Sequence, residues 1–366
     1  MKIGITLDMS VAFWSNGMQQ NIVFLYSMLE RAGFSCNYIT SKKPSWILNK
    51  KHKGMLLDDF LSDDGDILDL LIIAGFDLLP SMYERLRVIN PKMKIVFLHF
   101  GNKLMDDIHY SISCKDTPKL PVDPPDFFDE VWIYPHHSFA REYLSCYYRT
   151  DNVVEVPYVW SSFFLDDKIK ALKNKGLSPY YDLNRSSSVC IFEPNISHIK
   201  NCIIPISICE KLEILHPGSL SSVNVFCCEH LRGKSFFEKL MGRMNIVKRG
   251  DFCYFNKKWG STDALSKFGS VVVSHQTYSE LNFNHFETLY LGLPLIHNSE
   301  LIQNYGYYYP DFDISFAAKQ LRSSVLNHQS FIEQYKANIR TLIRDYSPYE
   351  SKNINKYKFI INELFK

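Results

Sequence analysis

Short β-rich apolar runs separated by longer amphipathic ones recur along nearly the whole chain. This alternation narrows the fold more than any other feature. "KIGITL" is followed by "MQQNIVFLYSMLERAGF", where Ile22, Leu25, Tyr26 and Leu29 keep helical spacing and Gly33 supplies a stop. "SCNYIT", "ILDLLIIAG", "KIVFLHF" and "EVWIYP" come next. They are short and apolar on both faces, as strands covered on both sides of a parallel sheet must be. Strand–helix alternation of this kind predicts a doubly wound α/β domain. A second series ("SVCIFEP", "IIPISICEKLEIL", "SVNVFCC", "SVVVSHQ", "HFETLYLG", "LPLIHN") repeats the pattern. Between the two, "WSSFFLDDKIKALKNKGLSPYYDLNRSSS" carries charges, a Pro and a Ser run. The expected plan is a Rossmann-like domain over 1–160, a connection over 161–187, a second Rossmann-like domain over 188–345 and a closing helix over 346–366. At 366 residues the chain is long for a single core, which agrees with two domains.

Composition excludes some classes. A formal net charge of +2 rules out a strongly basic coat. No apolar run reaches the roughly 18 to 20 residues of a membrane span, and the apolar part of "MKIGITLDMS" is too short for a signal peptide. Nine cysteines, an odd number with no C-x-x-C pair, predict reduced, buried thiols in a cytoplasmic protein and no zinc site. A G-x-G-x-x-G loop, a P-loop and a G-x-S-x-G elbow are all absent.

In a doubly wound sheet, ligands bind beyond the carboxyl ends of the strands, so the loops there carry the candidate chemistry. "VVVSHQTYSELNFNHFETLYLGLPLIHNS" predicts a buried strand, a short helix over His285–Leu291 with Asn284 as N-cap, and a stop at Gly292. Glu287 then has two readings. It can reach back to the Asn284 amide as a capping-box variant. It can also face the ligand edge, accept two vicinal hydroxyls of a ribose, and leave the helix N-terminus to a phosphate. In "SNGMQQNIVFLY", Gly17 permits close backbone approach and Asn16, Gln19, Gln20 and Asn21 are neutral hydrogen-bonding groups; Asn16 is equally a plain helix cap. In "IFEPNISHIKN", Glu193 and Asn195 are expected to shape the loop. His99 ends the strand in "VFLHFGNK". His136 and His137 in "YPHHSF" read as turn residues, and "SDDGD" (62–66) as a solvated turn.

The late segment with Glu in a short helix before "LGLPLI" resembles the nucleotide-sugar half of GT-B glycosyltransferases. The chain is most similar to a GT-B-like family of bacteria and phages that carries "NG…QN", "EPN…K" and "SHQ…LN…E…G.PL.HNS" in that order; here these are "NGMQQN", "EPNISHIK" and the whole late segment. The resemblance implies two Rossmann-like domains facing across a cleft, with the C-terminal helix crossing back to pack on the first. It implies transfer of a sugar from a nucleoside-diphosphate sugar to a hydroxyl acceptor, with no cofactor, no metal, and retention at the anomeric carbon. Glu287 would grip the ribose. Retaining members place a second glutamate with seven residues between the two. Here Glu280 has six between, and the position eight before Glu287 is Ser279, so Glu280, Ser279 or Asn282 would meet the sugar. Lys200 would neutralise the diphosphate, with Arg232, Lys234 and Arg249 as alternates, and Asn195 would assist donor binding. Asn16, Gly17, Gln19, Gln20 and Asn21 would contact the donor, and His99 the transferred sugar or the acceptor. The acceptor is expected to be a surface or lipid-linked glycan, or a hydroxylated base of phage DNA; the lysines at 42, 43, 50, 51 and 53 are the candidate basic patch for the latter. The location would be the cytoplasm, or the host cytoplasm if phage-encoded. A sugar-nucleotide epimerase and a noncatalytic sugar-binding protein remain open beside the transferase.

Overall fold

The structure is a computed structural model that describes residues 1–10, 13, 16–42, 52–62, 67–113 and 126–366. The chain divides into two units. One comprises Met1–Ser161 and Tyr346–Lys366, the other Ser162–Asp345.

The first unit holds a parallel sheet of β1 (Lys2–Leu7), β2 (Ser35–Thr40), β3 (Gly54–Leu56), β4 (Leu70–Ile73), β5 (Lys94–His99), β6 (Glu130–Ile133) and β7 (Val153–Glu155), in the order β3-β2-β1-β4-β5-β6-β7. β1 pairs with β2 on one side and β4 on the other, so the winding direction reverses there. Being central, β1 is buried on both faces beyond its first residue. Helices α1 (Gly17–Arg31), α2 (Leu57–Phe60), α3 (Pro80–Ile89), α4 (Lys103–Ser113) and α5 (Arg141–Tyr148) connect the strands. α1 starts where Asn16 accepts from the Gln19 amide at 3.3 Å and stops before Gly33, which takes φ +95°. One apolar cluster under the sheet joins Ile39, Leu71, Ile73, Tyr83, Ile95, Val131, Ile133 and Tyr148.

The second unit repeats the design with β8 (Ser188–Ile191), β9 (Ser222–Val225), β10 (Cys253–Phe255), β11 (Val271–Val273), β12 (Leu295–His297) and β13 (Tyr307–Tyr308), all parallel, in the order β10-β9-β8-β11-β12-β13. Its helices are α6 (Phe163–Lys173), α7 (Ile203–Leu215), α8 (Ser235–Met241), α9 (Asn245–Lys248), α10 (Ser261–Lys267), α11 (Phe283–Tyr290), α12 (Ile314–Asn327) and α13 (Ile332–Asp345). Val189, Ile191, Val223, Val225, Val273 and Ile296 from the sheet pack with Ile206, Cys209, Leu212 and Leu321 from α7 and α12. The winding reverses between β8 and β11.

The segment 161–187 is not a free connection. Its α6 buries Phe164, Leu165 and Leu172, packs on α10, and receives a 2.8 Å hydrogen bond from the Tyr290 hydroxyl at Asp166. The last helix, α14 (Ser351–Leu364), belongs to the first unit. It lies on α1, Tyr357 donates to the Pro157 carbonyl at 3.0 Å, and its ring meets Trp132 edge to face. Among the described residues no helix is long and apolar enough to cross a membrane. The described cysteines are free; Cys146 is exposed, contrary to the expectation of buried thiols. Lys43, Lys50 and Lys51 of the lysine group and Asp63–Asp66 of the acidic loop lie outside the described residues.

Candidate functional site

The carboxyl ends of β8 and β11 flank the reversal point of the second unit, and the loops leaving them build a polar cluster around Glu193. This side chain is 1% exposed, two residues beyond β8. Oε1 accepts from Ser274 Oγ at 2.6 Å and from the His275 amide at 3.2 Å, and Oε2 accepts from Gln276 Nε2 at 2.8 Å. Burial pushes the Glu193 carboxyl up to about 7, against those hydrogen bonds and the charge of Lys200, which pull it down. Because Ser274 gives its hydrogen to Glu193, the 2.9 Å contact between Ser274 Oγ and His285 Nε2 takes its hydrogen from the imidazole. Burial holds His285 down to about 3, and the charges of His297 and Lys200 act the same way. His275 is pushed down to about 4 by burial and shares a 3.0 Å hydrogen bond with the Tyr309 hydroxyl.

Two further layers fix these loops. Gln276 and Asn298 exchange hydrogen bonds of 2.8 and 2.9 Å, and Asn282 Nδ2 donates to Gln276 Oε1 at 3.0 Å. Asn195, at φ +59°, accepts from the Cys202 amide at 2.8 Å and donates to the Glu193 carbonyl at 2.7 Å. It thereby folds the 195–200 loop so that its own amide meets the Lys200 carbonyl at 3.1 Å. The Thr277 amide closes the cluster on the Ile199 carbonyl at 3.1 Å. Lys200 is half-buried at the end of this loop, within electrostatic reach of Glu193 and His285.

Glu287 sits in α11, 7% exposed, and accepts from Ser261 Oγ, the first residue of α10, at 2.5 Å. The cap of α11 is Asn282, whose side chain accepts from the Asn284 amide at 2.8 Å. Asn284 is therefore not the cap, and Glu287 makes no capping box: it lies too far along the helix to reach back, and its carboxylate is engaged by another element. Asn282 caps the helix and holds Gln276, and its amide keeps one further N–H and one lone pair. Ser279 is buried. The Glu280 carboxyl is pushed up by burial and by Glu300, and its Oε2 is buried without a hydrogen bond.

Asn195 is likewise a loop-shaping residue instead of a donor contact, since its amide is consumed internally. Arg249 stands outside these loops. It pairs with Glu213 at 2.9 Å and lies over the Phe252 ring at 3.8 Å, just before β10 begins. That is the amino edge of the sheet, away from the loops that carry Lys200 and Glu287. Arg232 is exposed and donates to the Phe255 carbonyl at 2.8 Å; Lys234 is exposed. The sequence reading undervalued Glu193, Ser274 and His285 as chemistry. The available signal was "SHQ", three polar residues directly after an all-valine strand.

In the first unit the residues after β1 are mostly used internally. Asn16 caps α1, Gln20 Nε2 donates to the Phe13 carbonyl at 2.9 Å, and Tyr134 donates to Asn21 Oδ1 at 3.0 Å. Gly17 is half-buried as the first residue of α1. Gln19 is fully buried with neither amide atom hydrogen-bonded. At the end of β5, His99 packs against Phe97 and Tyr148 with ring centroids 4.4 and 5.4 Å away. Its Nε2 is buried without a hydrogen bond, and burial with nearby Lys103 and His137 pushes it down to about 3. His136 and His137 are buried in the 3-10 turn Pro135–Ala140, their rings 4.0 Å apart. Among the described residues no group of three His, Cys, Asp or Glu side chains could hold a metal ion.

A family described as "Protein of unknown function (DUF2827)" matches residues 3–361. No curated protein matches the chain. Solved structures similar in fold include an alpha-glucosyltransferase in complex with UDP and a 13-mer DNA containing a HMU base (TM-score 0.59, 12% identity, 100% of each chain covered). WaaG, a glycosyltransferase involved in lipopolysaccharide biosynthesis, gives a TM-score of 0.56 at 11% identity over 99% of each chain. TarM of S. aureus, in complex with Fondaparinux, alpha-GlcNAc-glycerol and UDP, gives 0.50 at 12% identity over 84% of this chain; the match spans only 56% of TarM's length. At these identities the likeness establishes the fold, which is GT-B: two parallel-sheet Rossmann-like units.

Proposed function

The chain belongs to the DUF2827 family, and from that premise we propose that it is a glycosyltransferase that moves a sugar from a nucleoside-diphosphate sugar to a hydroxyl acceptor. The observation that carries the reading is Glu287: a buried carboxylate held by Ser261 in a short helix beside the β8 and β11 loops, in the same unit as Lys200. In this reading Glu287 accepts the ribose hydroxyls. Lys200 and the amino end of α7 meet the diphosphate, whose charge grows as the anomeric carbon–oxygen bond breaks. Glu280 takes a hydroxyl of the transferred sugar, for which its unengaged Oε2 is suited. In the first unit, His99 Nε2 and the Gln19 amide are the groups assigned to substrate hydroxyls. Transfer proceeds without a metal and with retention. The acceptor is a glycan hydroxyl or the hydroxyl of a modified DNA base; the WaaG and alpha-glucosyltransferase likenesses support the two options equally.

The test is incubation with a panel of nucleoside-diphosphate sugars in EDTA, with and without glycan and hydroxymethylated DNA acceptors. Released nucleoside diphosphate together with a glycosylated acceptor is the expected result. Isomerised sugar nucleotide without acceptor would identify an epimerase instead, and binding without turnover a sugar-binding protein.

A further inference from the structure

We propose that Glu193 is a positioning residue that takes up a proton when the anionic phosphate of a donor arrives beside Lys200. This rests on the donor reading above and adds a property to that site. Glu193 is 1% exposed, at the reversal point of the second sheet, and its three hydrogen-bond donors are neutral groups: Ser274 Oγ, the His275 amide and Gln276 Nε2.

The titratable groups facing it come from every packed element. Lys200 lies on its own loop, Cys202 at the start of α7 and Cys227 after β9. His275 follows β11, Tyr309 follows β13, and His285 on α11 reaches it through Ser274. The hydrogen bond with Cys228 and then burial raise Cys202, burial raises Cys227 and Tyr309 and lowers the two imidazoles, so all five are uncharged near neutrality. Lys200 is the one cation of this set. In the unliganded protein it favours the Glu193 carboxylate, while burial opposes it and holds the group at about 7. A phosphate on Lys200 draws the same charge and places a second anion nearby. Like charges sharing one site push one of them to protonate.

The network tolerates either form. A protonated Oε1 donates to Ser274 Oγ, and the Ser274 hydroxyl turns its own hydrogen toward His285 Nε2, the imidazole then carrying its hydrogen on Nδ1. The Glu280 backbone, which hydrogen-bonds the ring and favours its protonated form, is the acceptor for that hydrogen. One proton from solvent converts the carboxylate to the acid, and no bond of the donor is broken. The neutral acid no longer competes with the diphosphate for the charge of Lys200.

The experiment uses the full chain and a nucleoside-diphosphate sugar, because a free nucleoside diphosphate has a terminal phosphate that itself titrates near pH 6. Calorimetry at pH 7 in two buffers of different ionisation heat should show uptake of up to about half a proton. The dissociation constant should rise up to about tenfold between pH 6 and pH 8. Glu193→Gln should bind with a flat pH profile and no proton exchange. Should that variant fail to fold, infrared difference spectra of the wild-type protein provide the second reading: a carboxylic-acid band must appear on donor addition. Donor binding with no proton exchange, or a Glu193→Gln profile that still follows the wild-type one, overturns the assignment while the donor reading stands. If no nucleoside-diphosphate sugar binds at any pH, the donor reading falls and this proposal falls with it.

Discussion

Glu287 is a charged group at a position where charge is costly unless it is hydrogen-bonded, and Ser261 supplies one such bond. A carboxylate has room for several donors, so one engaged oxygen leaves capacity for ribose hydroxyls. Glu287→Gln keeps the volume and can still accept from Ser261, but loses the charge. A hydrogen bond to a charged acceptor contributes about 1.5 to 3 kcal/mol, so this change should weaken nucleoside-diphosphate sugar binding roughly 10- to 150-fold. Titration calorimetry reads the loss, and an unmoved thermal transition shows that the fold is kept. Unchanged affinity would separate Glu287 from the donor. The positions of Lys200 and Glu287 beyond the carboxyl ends of β8 and β11 were legible in the sequence because each follows a recognisable strand. Arg249 was misjudged because a basic residue next to a strand does not declare which end of that strand it occupies; the ion pair with Glu213 does.

The short helix α11 depends on its cap. Asn282 and Asn284 lie two residues apart, and either has the chemistry of an N-cap. The choice falls on Asn282 because its Nδ2 is also bound by Gln276, a tertiary contact that no local pattern contains. Asn282→Ala should cost about 1 kcal/mol through the cap alone, with more from the orphaned Gln276. Asn284→Ala should change little. Paired thermal denaturation of the two variants decides this, and equal losses would place the cap elsewhere. The strand–helix alternation was legible throughout, since buried parallel strands and amphipathic helices have different hydrophobic periods. The segment 161–187 was not, because its charges mask an apolar face of three residues. Phe164, Leu165 and Leu172 become meaningful only once α10 stands beside α6.

Across the molecule, His99, His275, His285 and His297 are buried and pushed down to about 3, 4, 3 and 4. The unfolded chain protonates them near pH 6.5 and the folded chain does not. Stability is therefore lost as pH falls from about 6.5 toward 4, by up to about 1.4 kcal/mol per pH unit for each. Glu193 acts oppositely. Its raised carboxyl costs stability as pH rises from about 4.3 to 7, by a similar slope. Glu130 and Glu280 are raised like Glu193, and His52 and His328 are lowered like the four rings, so imidazoles outnumber carboxyls and the melting temperature should be lower at pH 5 than at pH 7; a flat profile over that range would contradict the burial of these rings. A second expectation concerns α14, which brings Asn353, Tyr357, Ile360 and Ile361 into the core of the first unit. Ending the chain at Asp345 should remove hydrogen-exchange protection from β1 and α1 and leave β8 to β12 protected, because each large buried side chain contributes about 1.5 to 3 kcal/mol.

The route of the backbone has a temporal consequence. The second unit occupies one uninterrupted stretch, Ser162–Asp345, whereas the first is assembled from both ends of the sequence. During synthesis, the later-encoded lobe has all its residues before its predecessor does. The N-terminal lobe must wait on the ribosome with α1 partly uncovered until residues 346–366 emerge. Chaperone demand, slow refolding and sensitivity to premature stop codons should all concentrate in the half of the protein that is translated first.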